Sequence, residues 1–446
     1  MKSLKHLSFN SLRDFIGRVF DRAPDLRNPK QIEYSKRDIM MSGFGMAYFQ
    51  EPSLLQYQQR LEEEKGKNNL QTVLGVTKTP KDTQFRAQLD ITDRDLFRPI
   101  FKSFVGRLQR GKHLEQFRLW DASYLIPIDG TEYFNSNTVH CAGCLQKEHK
   151  NGTITYSHQT LQGAIVRPGI RQVLPLMPEE IRNTDGSEKQ DCEINAGKRF
   201  IQKLRQDFPH LKITIGGDGL NSKQPMIEAL RAERMNFILV AKPDDHTVLM
   251  TEFESQKKLG GIQTLRVQRE DGSFHVYEWI NQIDLNGNER SVEVNFISYR
   301  MTVFQEDGRE KTVYKNSWVT DTEISEKNVQ DIVLAGRARW KIENECFNTL
   351  KNQGYRLDRN YGHGNNSLSF IFYLFILLAF FFHQIAELTD KLYRAVRKKF
   401  GSKTEMWNFL RAVIQLFIFE SWEMLFEFSL NPKAFSPSLE ANAPPG

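Results

Sequence analysis

Two aspartates stand where carboxylates are costly. Asp129 interrupts the apolar segment YLIPIDGTEYF (124–134), and Asp218 directly follows LKITIGG (211–217). A carboxylate within or at the end of a buried strand costs several kcal/mol unless a charge pairs with it. Two of them on neighbouring strands repel, and a divalent cation removes that penalty. Mg²⁺ takes carboxylate oxygens and keeps water positions that substrate phosphates can occupy. Two such ions about 4 Å apart activate a nucleophile and steady a leaving oxygen. Either aspartate alone also fits a turn or a cap; a third acid turns the pair into a set.

The third acid lies in GRARWKIENECFNTLKNQGY (336–355). On a helix Arg339 and Glu343 are i,i+4 and share a face, with Phe347 continuing it, while Trp340, Ile342 and Leu350 pack elsewhere. Arg337, Lys341 and Lys351 are cationic companions, and an acid among cations suits a metal site facing a phosphate backbone. Glu345 competes with Glu343 as third ligand, and Glu343 is favoured. A separate cluster, HCAGC (140–144), has a metal-compatible Cys141-x-x-Cys144 gap. A structural Zn²⁺ would take both thiolates and two of His140, His149, His158 or Cys192; the set expected is His140, Cys141, Cys144 and His149. Free thiols in a hairpin are the plain reading. His158 and Glu193 also suit the rim of the carboxylate site. Lys242, ending a strand beside that of Asp218, could meet a phosphate, and His363 in YGHGNNS could reach DNA.

These side chains need a scaffold. Strands are expected over 124–134, 152–166, 172–181, 211–217 and 236–242, with helices over 191–208 and 221–233. Three strands, then helix, strand, helix and strand, describe an α/β core with a mixed sheet. IQTLRVQ, SFHVYEWI, SVEVNFISY and KTVYKNSWV (within 260–319) alternate around turns at Asp271-Gly272, Asn286-Gly287 and Asp307-Gly308. They predict an antiparallel β insertion, followed by a helix capped by Ser325 and running to about 351.

The expected organisation is a helical region over 1–120, which suits a DNA-end-binding domain and a plain packing domain equally, and the first part of the core over 121–259. The β insertion follows at 260–320, the rest of the core with the Glu helix at 321–366, a helical region with a basic stretch at 367–430, and a disordered tail at 431–446. In the first region Leu12, Ile16, Val19 and Phe20 share a helical face, Pro52 and Ser53 begin a helix, 62–69 is a solvated joint, and 80–110 holds two short helices. Residues 391–411 carry seven Lys/Arg against one acid, including Arg397, Lys398 and Lys399, and a helix is expected over 404–428.

With 446 residues, 39% of them apolar, and 32 Phe, the chain can bury a sizeable core, which excludes global disorder. The net charge of +6 permits a nucleic-acid partner without demanding one. Four cysteines exclude a disulfide scaffold. Residues 1–20 lack the apolar run of a secretory signal, so a cytoplasmic setting is expected. Phe370–Phe382 is an uninterrupted run of thirteen apolar residues; a spanning helix needs about 20, so this reads as a buried helix and no membrane partner is expected.

The strings IDGTEYF, IGGDGLNSKQ and RWKIENE, in this order, resemble the IS4-type DDE transposases of bacterial insertion sequences. The resemblance covers about 120–365 specifically. It implies an α/β fold with an RNase H-like catalytic core, interrupted by a β-rich insertion and flanked by helical N- and C-terminal regions. In that family the first Asp lies on the first strand, the second after the fourth, and the Glu on a late helix. Asp129, Asp218 and Glu343 take these places as catalytic metal ligands for Mg²⁺, with Mn²⁺ as substitute. The implied activity is cleavage at insertion-sequence ends and strand transfer into target DNA by a homodimer in a synaptic complex. Arg337, Arg339, Lys341, Lys351, Lys242, Arg397, Lys398 and Lys399 are the expected DNA contacts. Two departures stand out: Gly336 occupies the family's tyrosine position, and Lys351 falls eight residues after Glu343 rather than seven. A metal-dependent nuclease without strand transfer, an inactive transposase-derived DNA-binding protein and a membrane-associated protein are the rival readings.

Overall fold

A computed structural model describes residues 5–53, 55–57, 69–183, 191–306 and 309–434. Most of the joint expected at 62–69, the Asp307-Gly308 turn and the tail beyond 434 lie outside the described residues. The chain opens with helices α1 (Phe9–Phe20), α2 (Lys36–Tyr48), α3 (Asp82–Asp90) and α4 (Arg98–Arg110). Ser8 and Ser35 cap the first two by accepting the Ser11 and Asp38 N–H groups. Ser53 Oγ likewise accepts from Gln56 N, as Pro52-Ser53 suggested. Leu12, Ile16, Val19 and Phe20 are all buried.

Strand β1 (Tyr124–Ser136) is continuous through Asp129-Gly130. After it come β2 (Leu145–Glu148), β3 (Ile154–Ile165), β4 (Leu174–Pro175) and β5 (Glu179–Ile181). The single strand expected over 172–181 is thus two short pieces, separated by Leu176, Met177 and Pro178. Then follow α5 (Glu193–Asp207), β6 (Ile213–Gly217), α6 (Gln224–Ala232), β7 (Asn236–Val240) and α7 (Thr247–Lys258). β6 is buried at every residue, the pattern of a strand covered on both faces.

The meander β8 (Gln263–Gln268), β9 (Phe274–Asp284), β10 (Glu293–Phe304) and β11 (Glu310–Thr320) does not form a sheet of its own. Trp318, Val319 and Thr320 of β11 pair antiparallel with Val240, Leu239 and Ile238 of β7. The order is therefore β2-β3-β1-β6-β7-β11-β10-β9-β8, with β4 and β5 on β3. β1, β6 and β7 run parallel, and the remaining pairings are antiparallel.

The helix after the meander differs from expectation at both ends. α8 (Val329–Arg337) starts beyond Asn328, and Ser325 instead donates its hydroxyl to Asn328 Oδ1. A 3-10 turn (Ala338–Trp340) and a π segment (Ile342–Phe347) then lead into α9 (Asn348–Asn352). The apolar run becomes α10 (Leu368–Thr389), long and apolar enough to cross a membrane by composition, yet buried throughout its most apolar window. A ring from each N-terminal helix meets it: Phe9 against Phe382, Phe44 against Phe382, Phe85 against Phe372 and Phe101 against Phe381. The abundant phenylalanines thus join the first hundred residues to the C-terminal helices in one core. α11 (Lys391–Lys399), α12 (Lys403–Leu416) and α13 (Trp422–Leu430) complete the chain. The single helix expected over 404–428 is two helices because Phe417 is extended and Ser421 caps a new start.

Candidate active site

The parallel register of β1 on β6 pairs Pro127 with Gly216. Two residues further on stand Asp129, within β1, and Asp218, just past the end of β6, at the same level of neighbouring strands. Parallel strands lie about 4.8 Å apart, so this register alone brings the two carboxylates to one end of the sheet. Asp218 is fixed by its own turn: its Oδ1 accepts the Leu220 N–H at 3.0 Å and the Asn221 amide at 3.0 Å. Asp129 Oδ1 accepts the Gly130 N–H at 3.1 Å.

A fourth acid joins them. Glu193 opens α5, and a Cβ on Gly130 would stand 2.7 Å from Glu193 Oε2. A residue larger than glycine would push this carboxylate away from Asp129. Burial and the charge of Asp218 raise the Glu193 carboxyl, opposed by Asn221, Arg339 and the Gly130 N–H. The position had suggested a place on the rim; the geometry brings Glu193 into the acid cluster itself.

Glu343 comes from the π segment, and Arg339 from the 3-10 turn before it. Arg339 contacts Asp129 Oδ2 at 3.5 Å and Glu343 Oε1 at 2.7 Å. Glu345 turns to Lys341 at 3.5 Å, away from this bridge. Ile342, Phe347 and Leu350 are buried, while Trp340 is 55% exposed. Phe347 therefore anchors the segment in the core. π segments recur at functional sites because the extra residue re-aims the side chains of one turn. Gly336 also has a structural cause: a Cβ there would come 2.7 Å from the Trp318 indole, which already fills that space.

Burial raises the Asp129 carboxyl, Arg339 opposes the rise, and Glu343, Glu193 and Asp218 add to it, so that it sits at about 7. Arg339 pairs with two of the four acids, and its charge also acts on Glu193. Hard oxygen donors with uncompensated negative charge are the donor set Mg²⁺ or Mn²⁺ takes. Asp129, Asp218 and Glu343 fit such an ion by chemistry, with Glu193 beside them. The guanidinium of Arg339 occupies the position between Asp129 and Glu343.

The expected DNA contacts fall in two regions. Lys242 is exposed and lies beside the Asp218 turn, its Cδ 3.2 Å from where a Gly219 Cβ would be. Lys341 and the half-buried Lys351 accompany the Glu343 segment. Arg337 instead stands 4.7 Å over the Tyr314 ring. In α11 Lys398 is exposed, whereas Lys399 donates to the Ser429 and Leu430 carbonyls and Arg397 to the Phe400 carbonyl. Part of this basic stretch therefore satisfies helix-end carbonyls.

The cysteines call for a correction. Cys141 and Cys144 do converge with two histidines, but with His158 and His363. His140 stacks on Tyr156, with 4.3 Å between ring centroids, and His149 Nε2 bonds Thr155 Oγ1 at 2.8 Å. Both rings are held by the β2–β3 hairpin and turned from the thiols. Cys192 is exposed at the start of α5 and Cys346 is buried within the Glu343 segment. Burial alone would raise the Cys141 thiol, but hydrogen bonds from His158 and His363 outweigh it and draw it below its ordinary value.

No family model matches this chain, and no curated protein matches it.

Proposed function

We propose that this chain is a metal-dependent DNA transposase of the IS4-type DDE class, with Asp129, Asp218 and Glu343 as its catalytic acids. The observation that carries the reading is their convergence. Three acids drawn from motifs spread over more than two hundred residues lie toward one end of the parallel strands β1 and β6, Glu343 linked to Asp129 through Arg339, in the order the resembled family uses. The first acid is on the first strand, the second follows the strand parallel to it, and the Glu comes from a helical segment beyond a β-rich stretch. An RNase H-like core is the reading of the sheet this supports, with β8–β11 as the insertion.

Bound Mg²⁺ would supply activation of the attacking hydroxyl and stabilisation of the leaving oxygen. The protein's part is positioning. β1 and β6 fix Asp129 and Asp218 through their register, and the buried Phe347 and Leu350 fix the segment of Glu343. Arg339 keeps the acids together and offers guanidinium donors to a phosphate. Lys242, Lys341, Lys351 and Lys398 provide salt-sensitive backbone contacts that position DNA without reading its sequence. Two DNA ends are joined in one event, so a homodimer on paired insertion-sequence ends is the acting form, in a bacterial cytoplasm.

The test uses a pre-cut end with a free 3′-OH from the DNA flanking the gene, mixed with supercoiled target and Mg²⁺ or Mn²⁺. Covalent joining of the labelled end to target supports the transposase. Cutting without joining would assign a nuclease, and end binding without cutting a DNA-binding derivative.

A further inference from the structure

We infer that Cys141, Cys144, His158 and His363 form a Cys₂His₂ site for Zn²⁺ that ties the catalytic sheet to the segment following Glu343. The metal assignment does not depend on the reading of the carboxylate site.

The spacing of the four ligand atoms carries it. A tetrahedral ion with Zn–S of about 2.3 Å and Zn–N of about 2.0–2.1 Å sets its ligands about 3.8 Å apart for S···S, about 3.6 Å for S···N and about 3.3 Å for N···N. The two Sγ atoms are 3.9 Å apart. His158 Nε2 lies 3.6 Å from Cys141 Sγ and 3.5 Å from Cys144 Sγ. His363 Nε2 lies 3.3 Å from Cys144 Sγ and 3.2 Å from His158 Nε2. All four atoms fall within 4.8 Å of one another, and no other group of this kind converges so among the described residues. A bonded disulfide needs about 2.05 Å, so the thiols are free.

The surroundings agree. His158 is 3% exposed, and its Nε2 points at both thiols. Its Nδ1 has no hydrogen-bond partner and faces Glu180 Oε1 at 3.9 Å. That carboxylate is itself bonded by the Tyr133 hydroxyl at 3.0 Å and by Arg94. Cys144 Sγ accepts the Cys141 N–H at 3.4 Å, which ties the two cysteines into one turn. Four protein ligands leave no open position, so the site is structural rather than catalytic.

Its place in the fold gives it a task. The cysteines follow β1, the strand of Asp129, and His158 lies on β3 beside it. His363 comes from the segment between α9, which continues from Glu343, and α10. That segment is held at its other end by Asp90, whose carboxylate accepts the N–H groups of Asn365, Asn366, Ser367 and Leu368. Zinc and Asp90 together would fasten it to the sheet on one side and to the N-terminal helices on the other.

The test is metal content of the full-length chain, purified without chelator and analysed by inductively coupled plasma mass spectrometry. Roughly one zinc per chain is expected. Cobalt substitution should give a thiolate charge-transfer band and the visible bands of tetrahedral Co²⁺. Cys144→Ser and His363→Ala should lose the stoichiometric zinc, His363→Cys should keep it, and His140→Ala and His149→Ala should leave it unchanged. A soluble wild-type chain with no bound zinc and no cobalt spectrum overturns the proposal whatever the variants do. So does zinc that survives His363→Ala but is lost with His140→Ala. Zinc found as expected in a chain without strand-transfer activity would uphold this site while defeating the transposase reading.

Discussion

Arg339 reaches Asp129 at 3.5 Å while holding Glu343 at 2.7 Å, so a guanidinium bridges two acids from distant parts of the chain. The side chain of Arg339 is 13% exposed and that of Asp129 20%. With no bound metal, this arginine is the cation of the cluster. Arg339→Gln should therefore lower stability in chelator by about 1–3 kcal/mol, less than the full cost of breaking a buried pair because Glu343 is partly exposed. Mg²⁺ should raise the melting temperature of the variant more than that of wild type. Equal stability in chelator would mean that Arg339 does not offset the acids.

The pH dependence of the metal-free chain follows from Asp129. Its carboxyl is raised to about 7, first by burial. The native chain thus keeps a proton that the unfolded chain releases. That contribution to stability is complete below about pH 4 and is lost as the pH rises through about 7. Urea unfolding in chelator at pH 5 and pH 8 should show wild type losing on the order of 2–3 kcal/mol relative to Asp129→Asn. Parallel pH curves for the two chains would contradict this.

Gly336 is a packing requirement set by Trp318. Gly336→Tyr, which restores the residue type of the resembled family, should destabilise by about 3 kcal/mol because the rigid indole leaves no room. Gly336→Ala should cost less, in the order of volume. A thermal melt on both variants decides it, and an unchanged midpoint for Gly336→Tyr would mean that Trp318 moves freely.

Asp90 caps α10 from a distant helix. Burial alone would raise its carboxyl, but four backbone N–H donors outweigh that and hold it below its ordinary value. Its contribution is present above about pH 4 and lost as the pH falls through the depressed value. Asp90→Ala should cost about 1–2 kcal/mol at neutral pH. Asp90→Asn, still able to accept, should cost less and lose the acid dependence. Denaturant unfolding between pH 3 and 7 measures both.

The elements that place the site were legible from local patterns. The apolar runs within 124–128 and 211–215 marked the strands, and the order of the acids followed the resembled motifs. The meander was legible as strands, but its continuity with the main sheet was not, because the three pairs joining β11 to β7 are non-local. The break at Ile342–Phe347 was hidden as well: RWKIENE has ordinary helical periodicity, and only burial of Cys346 and Phe347 against the core shows the re-aimed turn. His363 had been read toward DNA. Its partners lie 205 and 219 residues earlier, a distance at which spacing carries no signal. His140 and His149 drew notice by nearness in sequence, while contacts with Tyr156 and Thr155 of β3 hold their rings elsewhere.

We have proposed that Asp129, Asp218 and Glu343 form one metal-dependent site acting on DNA. It is tested most directly by cleavage of a labelled DNA carrying the flanking insertion-sequence end, in Mg²⁺ or Mn²⁺, by wild type and by Asp129→Asn, Asp218→Asn, Glu343→Gln and Glu345→Gln. We predict metal-dependent cleavage that falls at least about 10³-fold in the first three variants and is retained in Glu345→Gln, whose parent carboxylate is paired with Lys341. Cleavage that survives Asp129→Asn and Asp218→Asn, or a folded wild type inert on its own ends, would contradict the account.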